Sequence, residues 1–172
     1  AGQGSDGGVY YGVDWFKSGG GGGAGDRGKV AWGGHGELWG KPSGDGGDGL
    51  VNNYFNGSDV TYAGGGGGGG EYGNLPRGVG GNGGGGDGRD GFDTSSSPNQ
   101  NGDANTGGGG GGASTSSTAP SGAGGSGVVI LRFLDTSLKH TDTSLKHTDT
   151  SLKYTLKITQ LFTNHVIALG GS

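Results

Sequence analysis

Cysteine and methionine are both absent from this chain. Without thiols there are no disulfides, thiolate metal sites or cysteine nucleophiles, and the redox compartment is left open. The missing methionine, with Ala1 as first residue, is what a processed or excised piece of a longer product is expected to show. Large apolar residues are scarce: Leu, Ile, Val and Phe make up about 16% of the chain, below the roughly 20% at which an ordinary hydrophobic core becomes doubtful. Eleven basic residues against 15 acidic ones, a net charge of −4, leave no basic stripe for nucleic acid. No apolar run approaches the ~18 residues of a membrane span, and no charged-then-apolar leader opens the chain, so membrane insertion is not expected. No Ser–His–Asp order, paired carboxylates on a defined face or H-E-x-x-H motif is visible, so the chain is expected not to be an enzyme.

What is abundant is glycine, 51 of 172 residues. Glycine loses more backbone freedom on folding than any other residue, which makes disorder the simplest expectation for such a chain. The low net charge and an aromatic content of 8% argue the other way, because disordered tails are charged and poor in aromatics. Runs at 19–23, 64–70, 83–86 and 107–112 are separated by polar and aromatic stretches of unequal length, so no Gly-X-Y repeat is present. A pure glycine run can take the extended threefold form of polyproline, with ~3 residues per turn and ~3.1 Å rise. It keeps the N–H that proline lacks and has no Cβ, so such rods can lie side by side and satisfy one another's backbone groups. The run 64–70 is then a rod about 22 Å long in a bundle whose interior is main chain. Flexible linkers are the alternative reading of the same runs. The expected fold is irregular and mainly coil: a bundle of polyglycine II helices over 18–127, preceded by an aromatic opening segment at 1–17, with a few short β-strands and little or no α-helix. Its scaffold is Gly64, Gly65, Gly66, Gly67, Gly68, Gly69 and Gly70 together with Gly107, Gly108, Gly109, Gly110, Gly111 and Gly112. The separators carry Asn, Asp, Pro and Ser and are expected to reverse the chain at the bundle ends.

At "GGSGVVILRF" the composition changes. Val128, Val129, Ile130, Leu131 and Phe133 form a short β-branched and apolar run bounded by glycine, a buried-strand signal over 128–134. Taken in order, "VTYAGGGGGGG", "GGNGGGGDG", "GDANTGGGGGG" and "GAGGSGVVILRF" resemble the glycine-rich domain of bacteriophage tail-fibre adhesins and large bacterial surface proteins. The resemblance covers roughly 18–133. It implies packed polyglycine II helices, with exposed loops at the distal tip binding the host surface, and an extracellular place on a virion or cell surface. The chain departs from that pattern at its start, where the β-rich lead-in is reduced to "GGVYYGVDWF", which leaves the partner of the Val128–Phe133 strand open.

Three near-identical heptads, "DTSLKHT", fill 135–155. One leucine per heptad is too thin for a coiled-coil seam, and an odd period sends successive leucines to opposite faces of a strand. A recent duplication is the plain alternative. His140 and His147 lack a third ligand at metal spacing. The apolar segment 156–172 could dock on the domain or pair with another chain.

Other motifs are weaker. "GAGDRGKV", 23–30, approaches the phosphate-binding G-x-x-x-x-G-K-[ST], but Val30 stands where a hydroxyl is needed. "GQGSDG" matches G-x-G-x-x-G by composition alone. "GGDGRDGFD" matches one copy of the calcium-binding nonapeptide, so Asp87 and Asp90 are candidate calcium ligands, with a plain turn as the alternative. "NGS" at Asn56 is a glycosylation sequon in a secretory eukaryotic host and otherwise an exposed turn.

The expected function is a non-catalytic attachment module whose loops bind a cell-surface glycan or an outer-membrane protein. Trp32, Trp39, Tyr54, Phe55 and Tyr72 are the candidate receptor-binding residues, since aromatics supply rigid contact area at low entropic cost. Each could instead plug the bundle end. Two alternatives stand beside this: a structural subunit assembling into a fibre or coat through 135–172, and a calcium-stabilised roll. No cofactor other than calcium is expected.

Overall fold

A computed structural model describes residues 4–12, 17–33, 41–70, 76–91, 99–114, 120–131 and 167–170. The heptads at 135–155 lie outside them.

The 64–70 glycine run is a rod at the centre of a bundle, and all seven residues are buried. Its hydrogen bonds repeat every third residue. Gly64, Gly67 and Gly70 donate to the carbonyls of Gly83, Gly86 and Arg89 at 3.0, 2.9 and 2.8 Å. Gly65 and Gly68 donate to Gly47 and Gly44 at 2.8 and 2.9 Å, and accept from Gly81 and Gly78 at 2.8 Å. The carbonyls of Gly64 and Gly67 accept from Gly109 and Gly112, both at 2.9 Å, and that of Gly66 accepts from Gly21 at 2.8 Å. Gly69 accepts from the hydroxyls of Ser18 and Ser43 at 3.1 and 2.8 Å. A period of three is that of the threefold spiral; a strand would repeat every second residue. The flexible-linker reading is thereby replaced, since the run has hydrogen-bonded neighbours on five sides.

Ten such segments are traced among the described residues: 5–11, 18–23, 26–33, 42–49, 63–70, 76–82, 85–91, 99–103, 107–114 and 120–127. Bond pairs that rise or fall together give their directions. Gly20 donates to Lys29 while Gly23 donates to Asp26, so 18–23 and 26–33 are antiparallel. Gly122 donates to Gly111 and Gly125 to Gly108, so the last two are antiparallel as well. Followed throughout, the rods alternate strictly up and down. The segment 5–11, expected to precede the bundle, is its first rod: Ser5 and Gly8 donate to Gly23 and Gly20 at 2.9 and 2.7 Å.

Alternation sorts the connections onto two poles. One, the hairpin pole, carries the 24–25 link, the 50–62 hairpin, the 82–84 turn, the 104–106 turn and the exit into 128–131. Gly83 and Gly84, with φ of 96° and 89°, make the reversal there. The other, the loop pole, gathers the rod ends at 12 and 17, 33 and 41, 70 and 76, 91 and 99, and 114 and 120. The connections between those ends, 13–16, 34–40, 71–75, 92–98 and 115–119, lie outside the described residues.

Short strands decorate the poles. β1 (Tyr10–Tyr11) and β2 (Ala31–Trp32) pair in parallel where two rods approach the loop pole. At the hairpin pole β3 (Leu50–Asn52) pairs antiparallel with β4 (Val60–Tyr62). β5 (Val128–Leu131) is the closing strand expected from the sequence, but it is not buried: Val129 and Leu131 face solvent because β5 lies beyond the rods with β6 (Ile167–Gly170) as its antiparallel partner, Val128 opposite Gly170. Ala31 is the only buried hydrophobic residue among those described, so main chain does form the interior.

Close approach makes the glycines non-substitutable inside the bundle and replaceable at its edge. A Cβ on Gly111 would stand 1.7 Å from the Asp87 carbonyl oxygen, whereas one on Gly124 would make an ordinary 3.6 Å contact with Gly108. Gly111→Ala is expected to cost about 3 kcal/mol or to prevent folding, and Gly124→Ala to be neutral or to stabilise by about 0.4–1 kcal/mol. Denaturant melts of the two variants check the contrast; equal effects would contradict it.

Candidate functional site

Of the five aromatic residues expected to bind a receptor, the three described ones, Trp32, Tyr54 and Phe55, do not form one surface. Trp32 is at the loop pole, 52% exposed. Trp39 and Tyr72 lie outside the described residues, in connections whose flanking rod ends, 33 and 41, 70 and 76, are at that same pole. Tyr54 and Phe55 are exposed at the hairpin pole, in the turn between β3 and β4. A rod length of ~20 Å separates Trp32 from Tyr54 and Phe55.

The parallel register of β1 and β2 sets Tyr11 beside Trp32, with ring centroids 5.3 Å apart and planes tilted by 31°. Tyr11 is 56% exposed, so a two-ring platform of mutually stacked aromatics faces solvent. Lys17 donates from Nζ to the Trp32 carbonyl at 3.0 Å, and burial pushes its pKa down. Sequence reasoning did not pair Tyr11 with Trp32, because nothing local foretells which rods become neighbours.

A family model described as a glycine-rich domain matches residues 1–134. The chain belongs to the glycine-rich domain family. The match begins ahead of residue 18, in agreement with the 5–11 rod. Comparison with curated proteins and with solved structures found no match.

Within this glycine-rich domain, Asp87 and Asp90 are placed side by side, but around an arginine. Arg77 reaches Asp90 Oδ2 through Nη1 at 2.8 Å and Asp87 Oδ2 through Nη2 at 3.2 Å. The remaining oxygens accept backbone N–H groups, Asp90 Oδ1 from Arg77 at 2.9 Å and Asp87 Oδ1 from Gly80 at 2.9 Å. A calcium ion would have to displace the guanidinium and both amides. No group of three or more His, Cys, Asp or Glu placed to hold a metal occurs among the described residues.

These aspartates belong to a larger device. Asp45 Oδ1 accepts from Val79 N at 2.7 Å and Asp48 Oδ1 from Asn82 N at 2.9 Å. Gly78 and Gly81 donate inward to the central rod. Every amide from Arg77 to Asn82 is thus paired: every third one to main chain, the others to carboxylates spaced three apart on the two flanking rods. At the bundle surface, where a further rod would have supplied carbonyls, side-chain oxygens take that part. The Asp-x-x-Asp spacing at 45/48 and 87/90 carries the period of the spiral and was the sequence signal for this role.

Two minor motifs resolve locally. In the phosphate-loop look-alike, Asp26 takes Lys29 and the Arg27 amide, so the lysine is already neutralised. The bond from Lys29, then that from the Arg27 amide, holds the Asp26 pKa down, and the bond to Asp26 with its negative charge raises that of Lys29. Asn56 Oδ1 accepts from Ser58 N at 2.9 Å in an exposed turn, with Gly57 at φ 84°. No helix among the described residues is long and apolar enough to cross a membrane.

If the carboxylates serve the backbone, Asp87→Ala and Asp48→Ala each lower stability by about 1–2 kcal/mol, while millimolar calcium or chelator leaves the melting temperature unchanged. A calcium-dependent rise in that temperature would contradict the assignment.

Proposed function

We propose that this glycine-rich domain is a non-catalytic attachment module that presents its loop pole to a receptor on a cell surface, a glycan or an outer-membrane protein. The observation that carries the reading is topological. Strict alternation of the rods gathers the ends flanking five connections at one pole, while the bundle begins at residue 5 and exits at residue 127 on the opposite pole. The loop pole therefore lies at the end of the bundle opposite the exit into β5.

The connections joined there are the chemically varied ones. They hold Trp15, Phe16, Trp39, Tyr72 and Phe92 together with Asp14, His35, Glu37, Glu71 and Asp93, and the Tyr11–Trp32 platform stands among their described rod ends. Aromatic anchors set in adaptable polar surroundings are what recognition surfaces are made of. A backbone-cored bundle is well suited to hold them, because loop composition can change without disturbing the packing beneath.

Assembly into a fibre or coat is favoured by a different observation. Leu50, Val51, Val129 and Leu131 are each more than half exposed at the hairpin pole. Among the described residues the two-stranded sheets there have unpaired edges, which are templates for pairing with another chain.

Replacing 34–40 and 71–75 by Gly-Ser segments of equal length is expected to abolish binding to host cells with the melting transition intact. The same replacement of 53–58 is expected to leave cell binding unaltered. Cell binding that survives the first change and is lost with the second would overturn the loop-pole reading. Sedimentation of the full chain beside its Val51→Lys and Val129→Lys variants tests the assembly reading, which requires oligomers that the lysines at the exposed strands disperse.

A further inference from the structure

We infer that the groove at the hairpin pole is a binding site for a neutral saccharide, separate from the loop pole and independent of the receptor reading. It has two lobes of about 620 and 400 Å³ that share Tyr62, Thr106 and Val128. That is the size range of small-molecule sites. Phe55 and Val60 wall the larger lobe, and Tyr54 and Ile130 the smaller one.

The polar complement selects the ligand class. Asn56 and Asn105 line the larger lobe and Asn52 the smaller. Among the described residues no Asp, Glu, Lys, Arg or His lines either lobe. The carboxamide oxygens of Asn52 and Asn56 are taken by the amides of Tyr54 and Ser58 at 3.2 and 2.9 Å, which orients the side chains and leaves their NH₂ groups as donors. Aromatic faces combined with fixed amide groups and no charge match a pyranose ring, which is apolar on its C–H face and carries uncharged hydroxyls at its edge. Among the described lining residues an anionic or cationic ligand would find no counter-charge, and its desolvation would be costly.

The groove is also pre-shaped. Ala63 and Asn105 are the only non-glycine residues with positive φ among those described, at 60° and 62°, and both line it. Side chains disfavour that conformation, which persists where surrounding structure holds it. Ala63 N donates to Thr106 O at 2.9 Å, Ala24 N to Ala63 O at 2.9 Å, and Asn105 N to Ser126 Oγ at 2.9 Å. Two strained residues pinned at one groove, and none elsewhere among the described rods, point to a surface kept in a set shape.

Saturation-transfer NMR with maltose and lactose as neutral probes, and glucuronic acid and glucosamine as charged ones, tests the assignment on the full chain. The expected result is transfer to the ring C–H protons of at least one neutral sugar, with affinity on the order of millimolar, and no transfer to the charged sugars. Phe55→Ala and Tyr62→Ala weaken it about tenfold or more; Trp32→Ala leaves it unchanged. Asn105→Gly relieves the strained backbone, so it keeps or raises the melting temperature while weakening binding, which separates recognition from folding. No transfer to any neutral sugar, equal response to charged ones, or an effect of Trp32→Ala without one of Asn105→Gly would overturn it. So would a sedimentation profile showing self-association that protects Tyr62.

Discussion

Removing Cβ lets one chain approach another until a carbonyl oxygen sits where the side chain would have been, and everything else in this molecule depends on that approach. A Cβ on Gly66 would lie 2.0 Å from the Gly110 oxygen, and one on Gly68 2.1 Å from that of Ser18. At such distances the backbone groups of a threefold spiral meet neighbours on several sides, and the interior is sealed by hydrogen bonds rather than by apolar side chains. The composition that argues against a hydrophobic core is what this arrangement requires. The entropic cost of ordering glycine is offset because most residues of the rods join a bond between them.

A lattice of this kind has a surface problem. Rods at the periphery lack neighbours on one side, and their amides would be left to water or to association with another rod. Along 77–82 the problem is met by aspartates at three-residue spacing on both flanking rods, with Arg77 balancing the two at 87 and 90. Ser18 and Ser43 do the equivalent from the donor side, both to Gly69. The charged residues inside the bundle therefore serve rod packing, and chemical variety is displaced to the poles.

The sequence made some of this legible and hid the rest for identifiable reasons. The glycine runs identified rods because threefold spirals without Cβ can lie close enough to satisfy one another's backbone groups, and Val128–Leu131 identified itself as a strand by its short β-branched and apolar run. The partner of that strand, Ile167–Gly170, was not legible, since pairing across so long a separation leaves no local mark. Nor was the sorting of residues between poles: a glycine run carries no sign of its direction, so Tyr54 and Phe55 could not be told from Trp32 until the rods were seen to alternate. Asp87 and Asp90 fitted a calcium motif because that motif and a threefold spiral both place aspartates at short regular spacing among glycines.

The most direct test of the account is NMR detection of scalar couplings across hydrogen bonds between the glycine rods. The account predicts correlations from Gly65 N to the Gly47 carbonyl carbon, Gly67 N to that of Gly86, and Gly68 N to that of Gly44. Absence of these couplings, with the 64–70 amides at random-coil shifts and exchanging freely with solvent, would contradict it.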